Sequence, residues 1–118
     1  MRRTANSTLD ERYFVSSVYE RLKAERLERI TAEDVLDRIR RTYEAWRQIR
    51  EQGVKKPEPV ITAAYVADWY SEQNGPWRKV VREHCESTLR RLHRQGKLTV
   101  TTAQAPCGGH DVRAYEPA

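Results

Sequence analysis

The sequence predicts a mainly α-helical α+β fold in which several amphipathic helices are followed by a small β-hairpin. Three features predict it. Apolar residues recur at helical spacing over most of the chain, glycine and proline interrupt those stretches, and a β-branched tail is broken by a glycine-rich loop.

The clearest stretch runs from Val80 to Val100, VVREHCESTLRRLHRQGKLTV. At 100° per residue, Val81, Cys85, Thr88, Leu89 and Leu92 share one side of a helix, while Lys79, Arg82, Glu83, Glu86, Arg90, His93, Arg94 and Lys97 fall opposite. Gly96 ends this helix. Lys97 to Thr102, KLTVTT, is β-branched enough for a strand, Ala105 to Asp111 forms a turn-rich loop, and Val112 to Tyr115 reads as a short return strand.

The preceding elements follow from the same signals. Residues 1 to 8 lack apolar periodicity and read as a basic arm carrying Arg2 and Arg3. Leu9, Tyr13, Val15, Val18, Tyr19 and Leu22 then recur at helical spacing up to about Arg29. Thr31, with Glu33 and Asp34 close behind, is a helix start; Val35, Leu36, Ile39, Tyr43, Trp46 and Ile49 form the stripe of a helix ending near Gln52, stopped by Gly53. Val54 to Pro59, VKKPEP, is a stiff polar connector. Thr62 can cap a third helix running to about Gln73, with Ala64, Val66, Ala67, Trp69 and Tyr70 available to the core. Asn74-Gly75 breaks it, and Pro76 suits the start of the next helix.

A length of 118 residues suits one modest core, and 33% charged residues against 38% apolar ones imply a large solvated surface. Nothing approaches the roughly 18 consecutive apolar residues of a membrane span. The start, MRRTANSTLDERYFV, lacks the apolar stretch of a secretory signal, so the expected location is the cytoplasm. The net charge is +5, and residues 78 to 97 alone carry seven Lys/Arg against Glu83 and Glu86, so the remainder is neutral. A clustered surplus of this kind is the electrostatic footprint of a nucleic-acid face; its bland counterpart is a solvated basic helix.

Chemistry of other kinds finds little support. Gly-rich phosphate loops, a Gly-x-Ser-x-Gly elbow and a His-Glu-x-x-His pair are missing from the sequence, so no enzyme and no cofactor are expected. Cys107 and His110 have a C-x-x-H spacing after His84-Cys85, but adjacent helical residues diverge by about 100° and cannot both serve one ion, so no metal is expected. Cys85 falls on the apolar stripe and reads as core. Trp46 and Trp69 read as core too, whereas Trp77, beside Pro76, is open to base stacking.

The order helix, helix, turn, helix, strand, loop, strand over residues 32 to 117 resembles the winged helix-turn-helix superfamily. The specific echoes are Ile61-Thr-Ala-Ala-Tyr-Val-Ala-Asp-Trp-Tyr before the turn and Ser87-Thr-Leu-Arg-Arg-Leu-His-Arg-Gln-Gly-Lys-Leu at the end of the basic helix. The turn Ser71 to Lys79 is longer than that of the standard motif, and the wing region is poor in basic residues, with Arg113 and His110 only. The resemblance implies a winged-helix domain over 31–118 with an N-terminal arm and helix over 1–30, and a function in binding duplex DNA, as a small transcriptional regulator whose helix around 78–95 enters the major groove. The residues it singles out are Thr62, Arg78, Lys79, Arg82, Glu83, Ser87, Arg90, Arg91, Arg94, Lys97 and Arg113, with Arg82 placed for guanine. The alternative is a winged-helix protein-interaction module without a nucleic-acid ligand. A homodimer through Tyr13, Val18, Tyr19 and Leu22 fits the excess apolar surface of the N-terminal helix; the competing arrangement packs that helix within its own chain.

Overall fold

The computed structural model describes residues 17–70, 75–104 and 111–118, of Gln104 only the backbone. Over these residues the order is helix α1 (17–27), α2 (Ala32–Glu51), α3 (Ala63–Tyr70), α4 (Arg78–Arg94), strand β1 (Leu98–Gln104) and strand β2 (Asp111–Pro117). The architecture is therefore mainly helical with one two-stranded antiparallel hairpin. The expected residues Leu9, Tyr13 and Val15, the end of the third helix near Gln73, and the loop residues Cys107 and His110 lie outside the described residues.

Local chemistry explains where α2 begins and ends. Thr31 is extended (φ −96°, ψ 156°) and its hydroxyl accepts from the Asp34 amide at 3.1 Å, while Glu33 and Asp34 meet the positive end of the helix. At the other end Gly53 adopts φ 84°; its amide reaches Arg50 O at 3.0 Å and the Val54 amide reaches Ile49 O at 3.4 Å. Helix α4 closes in the same way on Gly96 (φ 75°), with Gly96 N to His93 O and Lys97 N to Leu92 O both at 3.0 Å. These paired bonds satisfy carbonyls that a helix end otherwise strands, and the left-handed residue they need is glycine in both places.

The five α4 residues on the sequence-derived stripe are all buried, and Cys85 and Leu89 have no exposure at all. They face Val35, Leu36, Ile39 and Tyr43 of α2 and Val66, Ala67 and Tyr70 of α3, with Ile61, Leu98 and Tyr115 completing the cluster. Ala64, expected at the core, is instead exposed beside Tyr65; in an eight-residue helix the buried arc through Val66, Ala67 and Tyr70 leaves it on the outer side. Pro76 does not open α4. It lies in the turn before Trp77, and Arg78 is the first helical residue.

The hairpin is longer than its β-branched core suggested. Its register runs from Leu98 opposite Pro117 to Gln104 opposite Asp111, so pairing carries the strands past the residues with high strand propensity. Ile61 adds a single antiparallel bridge on the far side of β2, with Tyr115 N donating to Ile61 O at 2.8 Å. This bridge ties the start of α3 to the hairpin. The connector before it is held as well: Tyr43 donates to Pro59 O at 3.1 Å and Trp46 Nε1 to Lys56 O at 2.9 Å.

Several contacts join the N-terminal part to the rest. Ile30 is buried among α2–α4 residues, and the His84 ring meets Ile30 O at 3.0 Å; a carbonyl only accepts, so Nε2 carries the proton. Tyr19 of α1 stacks on Trp77, ring centroids 5.2 Å apart, and the Arg26 guanidinium lies 5.9 Å from the same ring. Trp77 is thus half-buried by the chain itself rather than left open for base stacking.

Candidate nucleic-acid interface

Because the core takes one side of α4, its polar residues are forced outward. Arg78, Lys79, Arg82, Glu83, Ser87, Arg90, Arg91 and Arg94 are all exposed, and Lys97 follows them just past the helix end. Helical periodicity sorts them into arcs. Lys79, Glu83, Arg90 and Arg94 lie opposite the buried stripe. Arg82 and Glu86 turn toward α3 and β2, and Arg91 lies on the other flank, so the predicted set is not one contiguous patch.

Ion pairing separates α4 from α2. On α2 three of the five arginines are paired within the helix: Arg38 by Asp34 at 2.9 Å, Arg41 by Asp37, and Arg47 by Glu44 at 3.8 Å, while Arg40 and Arg50 have no carboxylate partner among the described residues. Among the described residues of α4 only Arg90 is paired, with Glu86 at 2.7 Å. Both partners are about half exposed, so the pair adds little stability; its consequence is that Glu86 competes for the Arg90 guanidinium. Arg78, Lys79, Arg82, Arg91 and Arg94 have no carboxylate partner among the described residues, and their charge faces solvent.

Beside this face lies an open groove of about 780 Å³, walled by the start of α3, the Arg82–Glu86 flank of α4 and the Asp111–Arg113 edge of β2. It brings together three of the sequence-derived residues, Thr62, Arg82 and Arg113. Thr62 Oγ1 accepts from the Tyr65 amide at 3.2 Å, which makes it the cap of α3 rather than a free hydroxyl. Tyr65, Asp68 and Val60 also line the groove and were not picked out from the sequence. Tyr65 sits three residues after the cap on the side away from Val66 and Tyr70, a position the helical period of α3 reveals once its start is fixed. Its ring meets Trp69 edge-on at 5.4 Å.

A part-buried polar junction ties α3 to α2 and to the segment before α2. Tyr70 donates to Asp34 Oδ2, Arg38 stacks 4.9 Å over the Tyr70 ring, and Arg29 donates to Tyr70 O at 3.1 Å. The Tyr70 hydroxyl, with Arg38 beside it, holds the Asp34 carboxyl below its ordinary range despite some desolvation, whereas burial and that carboxylate push the Tyr70 phenol upward. Burial also raises the Cys85 thiol to about 11, so it stays protonated and unreactive at neutral pH. No group of three or more His, Cys, Asp or Glu side chains able to hold a metal occurs among the described residues, and no helix there is long and apolar enough to cross a membrane.

Val18 is half-buried, whereas Tyr19 and Leu22 are 46% and 41% exposed on α1; Tyr13 lies outside the described residues. Comparison with known proteins places the chain in no family: no family model matches it, and no curated protein or solved structure is significantly similar.

Proposed function

We propose that this chain is a duplex DNA-binding protein of winged-helix type, a small transcriptional regulator that presents α4 to the major groove. The observation that carries the reading is the density of unpaired cations on α4: five of its six Lys/Arg have no carboxylate partner among the described residues, whereas three of the five arginines of α2 are matched by a carboxylate one turn away. Unmatched, clustered cations raise the local potential and release counterions on meeting phosphates. A helix roughly 10–12 Å across with its side chains fits the roughly 12 Å width of the major groove, and the 17 residues of α4 extend roughly 25 Å.

Element order supports the same reading. Helix α2, the Ile61 bridge, α3, α4 and the β1–β2 hairpin follow one another in the order expected of a winged-helix domain. In this arrangement Lys79, Glu83 and Ser87 reach base edges, with Arg82 at the groove side as the guanine contact. Arg94, Lys97, Arg113 and the capped start of α3 bear on phosphates. Arg91, on the other flank, approaches DNA only at the edge of the interface. A two-fold dimer through Val18, Tyr19 and Leu22 would present two such helices to a palindromic site.

Fluorescence anisotropy of a labelled random-sequence duplex, repeated from about 50 to 200 mM salt, tests the reading. Log K should fall with log salt by ~0.9 per phosphate neutralised. Arg82→Glu with Arg94→Glu should lose binding while the thermal transition is kept. A second reading, a protein-docking module, draws on Val60 and Tyr65, 50% and 42% exposed beside the groove. Negligible binding at every salt concentration would favour it and overturn the DNA assignment.

A further inference from the structure

We propose a second phosphate-binding site, remote from α4, at the C-terminal end of α2, where it seats the phosphodiester backbone of a nucleic acid. An open cleft of about 540 Å³ is lined by Trp46 and Arg50 of α2 and by Gly53 to Pro57 of the connector, so that Arg50, Lys55 and Lys56 all border it. No carboxylate lines it; Glu51 and Glu58, the nearest acidic residues in the chain, stay outside. Arg50, Lys55 and Lys56 have no carboxylate partner among the described residues, unlike Arg38, Arg41 and Arg47 on the same helix.

The cleft is held in shape by its own framework. Trp46 Nε1 donates to Lys56 O at 2.9 Å, which pins the lysine-bearing loop to α2, and the Arg50 guanidinium lies 5.3 Å over the Trp46 ring. The glycine-capped helix end fixes Gly53 and Val54 between them. A cation in the last turn is explained by the negative end of the helix, which accounts for Arg50 alone. Two lysines bordering the cleft are not explained that way. Three cations around one opening, one of them a planar guanidinium, match an extended phosphate chain better than a single carboxylate.

The site shares no residue with the α4 face. Asp34, next to Tyr70 of α3, and Arg50 are separated by roughly 24 Å along α2. A protein holding backbone at both places contacts either a longer stretch of one duplex or two duplexes at once. The nucleic-acid source of the phosphates rests on the proposed function; the phosphate chemistry of the cleft does not.

The Trp46 indole N–H reports the cleft directly in proton–nitrogen correlation spectra, once assigned with Trp46→Phe. Inorganic triphosphate and a duplex of about two helical turns would be titrated separately into wild type, Lys55→Gln/Lys56→Gln and Arg82→Glu/Arg94→Glu. The expected result is that both ligands shift the Trp46 signal in wild type, that triphosphate still shifts it in the α4 variant, and that neither ligand does so in the lysine variant. The lysine variant should also bind duplex with a salt slope shallower by ~0.9 per lysine removed. If duplex moves α4 resonances but leaves Trp46 still, the second site is overturned and the α4 reading stands. If Trp46 moves and α4 does not, the reverse holds. Triphosphate binding without duplex binding overturns the nucleic-acid assignment, and silence toward both ligands overturns the site.

Discussion

Asp34 does three things that no single sequence signal assigns to one residue. Its amide takes the Thr31 cap, its carboxylate pairs with Arg38, and it accepts from Tyr70 thirty-six residues away. The first two are local and legible, since an acidic residue at the third position of a helix and an arginine four further on are both spacing rules. The third is not, because the Tyr70 partner depends on how α3 crosses α2. Its energetic sign follows from the lowered carboxyl. A group whose folded pKa lies below its unfolded value near 3.8 contributes stability above that value and loses it as pH falls through the folded one. Asp34→Asn should therefore lower the melting temperature at pH 6, and the gap to wild type should narrow steadily as pH is taken from about 5 to below the folded pKa. Thermal melts of both proteins across that range check it; a gap independent of pH would show that the carboxylate contributes only through packing. Because Asp34 is more than a third exposed, the loss should be modest beside that of a buried ion pair.

Helix α4 is the element where sequence and structure coincide most fully. All five residues of its apolar stripe are buried and its end falls at Gly96, because one amphipathic helix against one core leaves no competing arrangement. The hairpin was legible in kind but not in extent. Its last rungs, Ala103 opposite Val112 and Gln104 opposite Asp111, are set by the register begun at Leu98, which is a pairing property. The candidate face shows the same division. Periodicity separates buried from exposed residues, yet the grouping of Thr62 and Arg82 with Arg113 requires the β2 strand to fold back beside α3. Nor does spacing alone decide that Glu86 faces Arg90 rather than a ligand. If Glu86 restrains that guanidinium, Glu86→Gln should strengthen binding to random duplex severalfold and steepen its salt slope by up to ~0.9, as one more cation becomes available to phosphates. Anisotropy titrations of the two proteins side by side measure it. An unchanged slope would mean that Arg90 does not reach the backbone.

At the scale of the whole molecule, exposed apolar surface is spread over several elements. Val60 and Tyr65 border the groove beside Arg82 of α4, whereas Tyr19 and Leu22 sit on α1. Helix α1 is tied to the core mainly through Leu27, Ile30 and the Tyr19–Trp77 stack, so one part of its surface serves its own chain while Leu22 faces outward. Burial of Leu22 and the outer part of Tyr19 against a second copy would remove that apolar surface without touching the α4 face, and two copies would then bind one duplex together. Leu22→Glu places a charge where such an interface must be dry, but lies clear of the buried cluster, so the fold should persist. Sedimentation of wild type should accordingly give the mass of two chains and the variant that of one, with helical content unchanged. In the DNA titration the variant should lose cooperativity and affinity for a palindromic duplex while keeping affinity for a single half-site. A wild type that sediments as one chain would remove the dimer from the account and leave α1 as an intrachain buttress for Trp77 and the turn before α4.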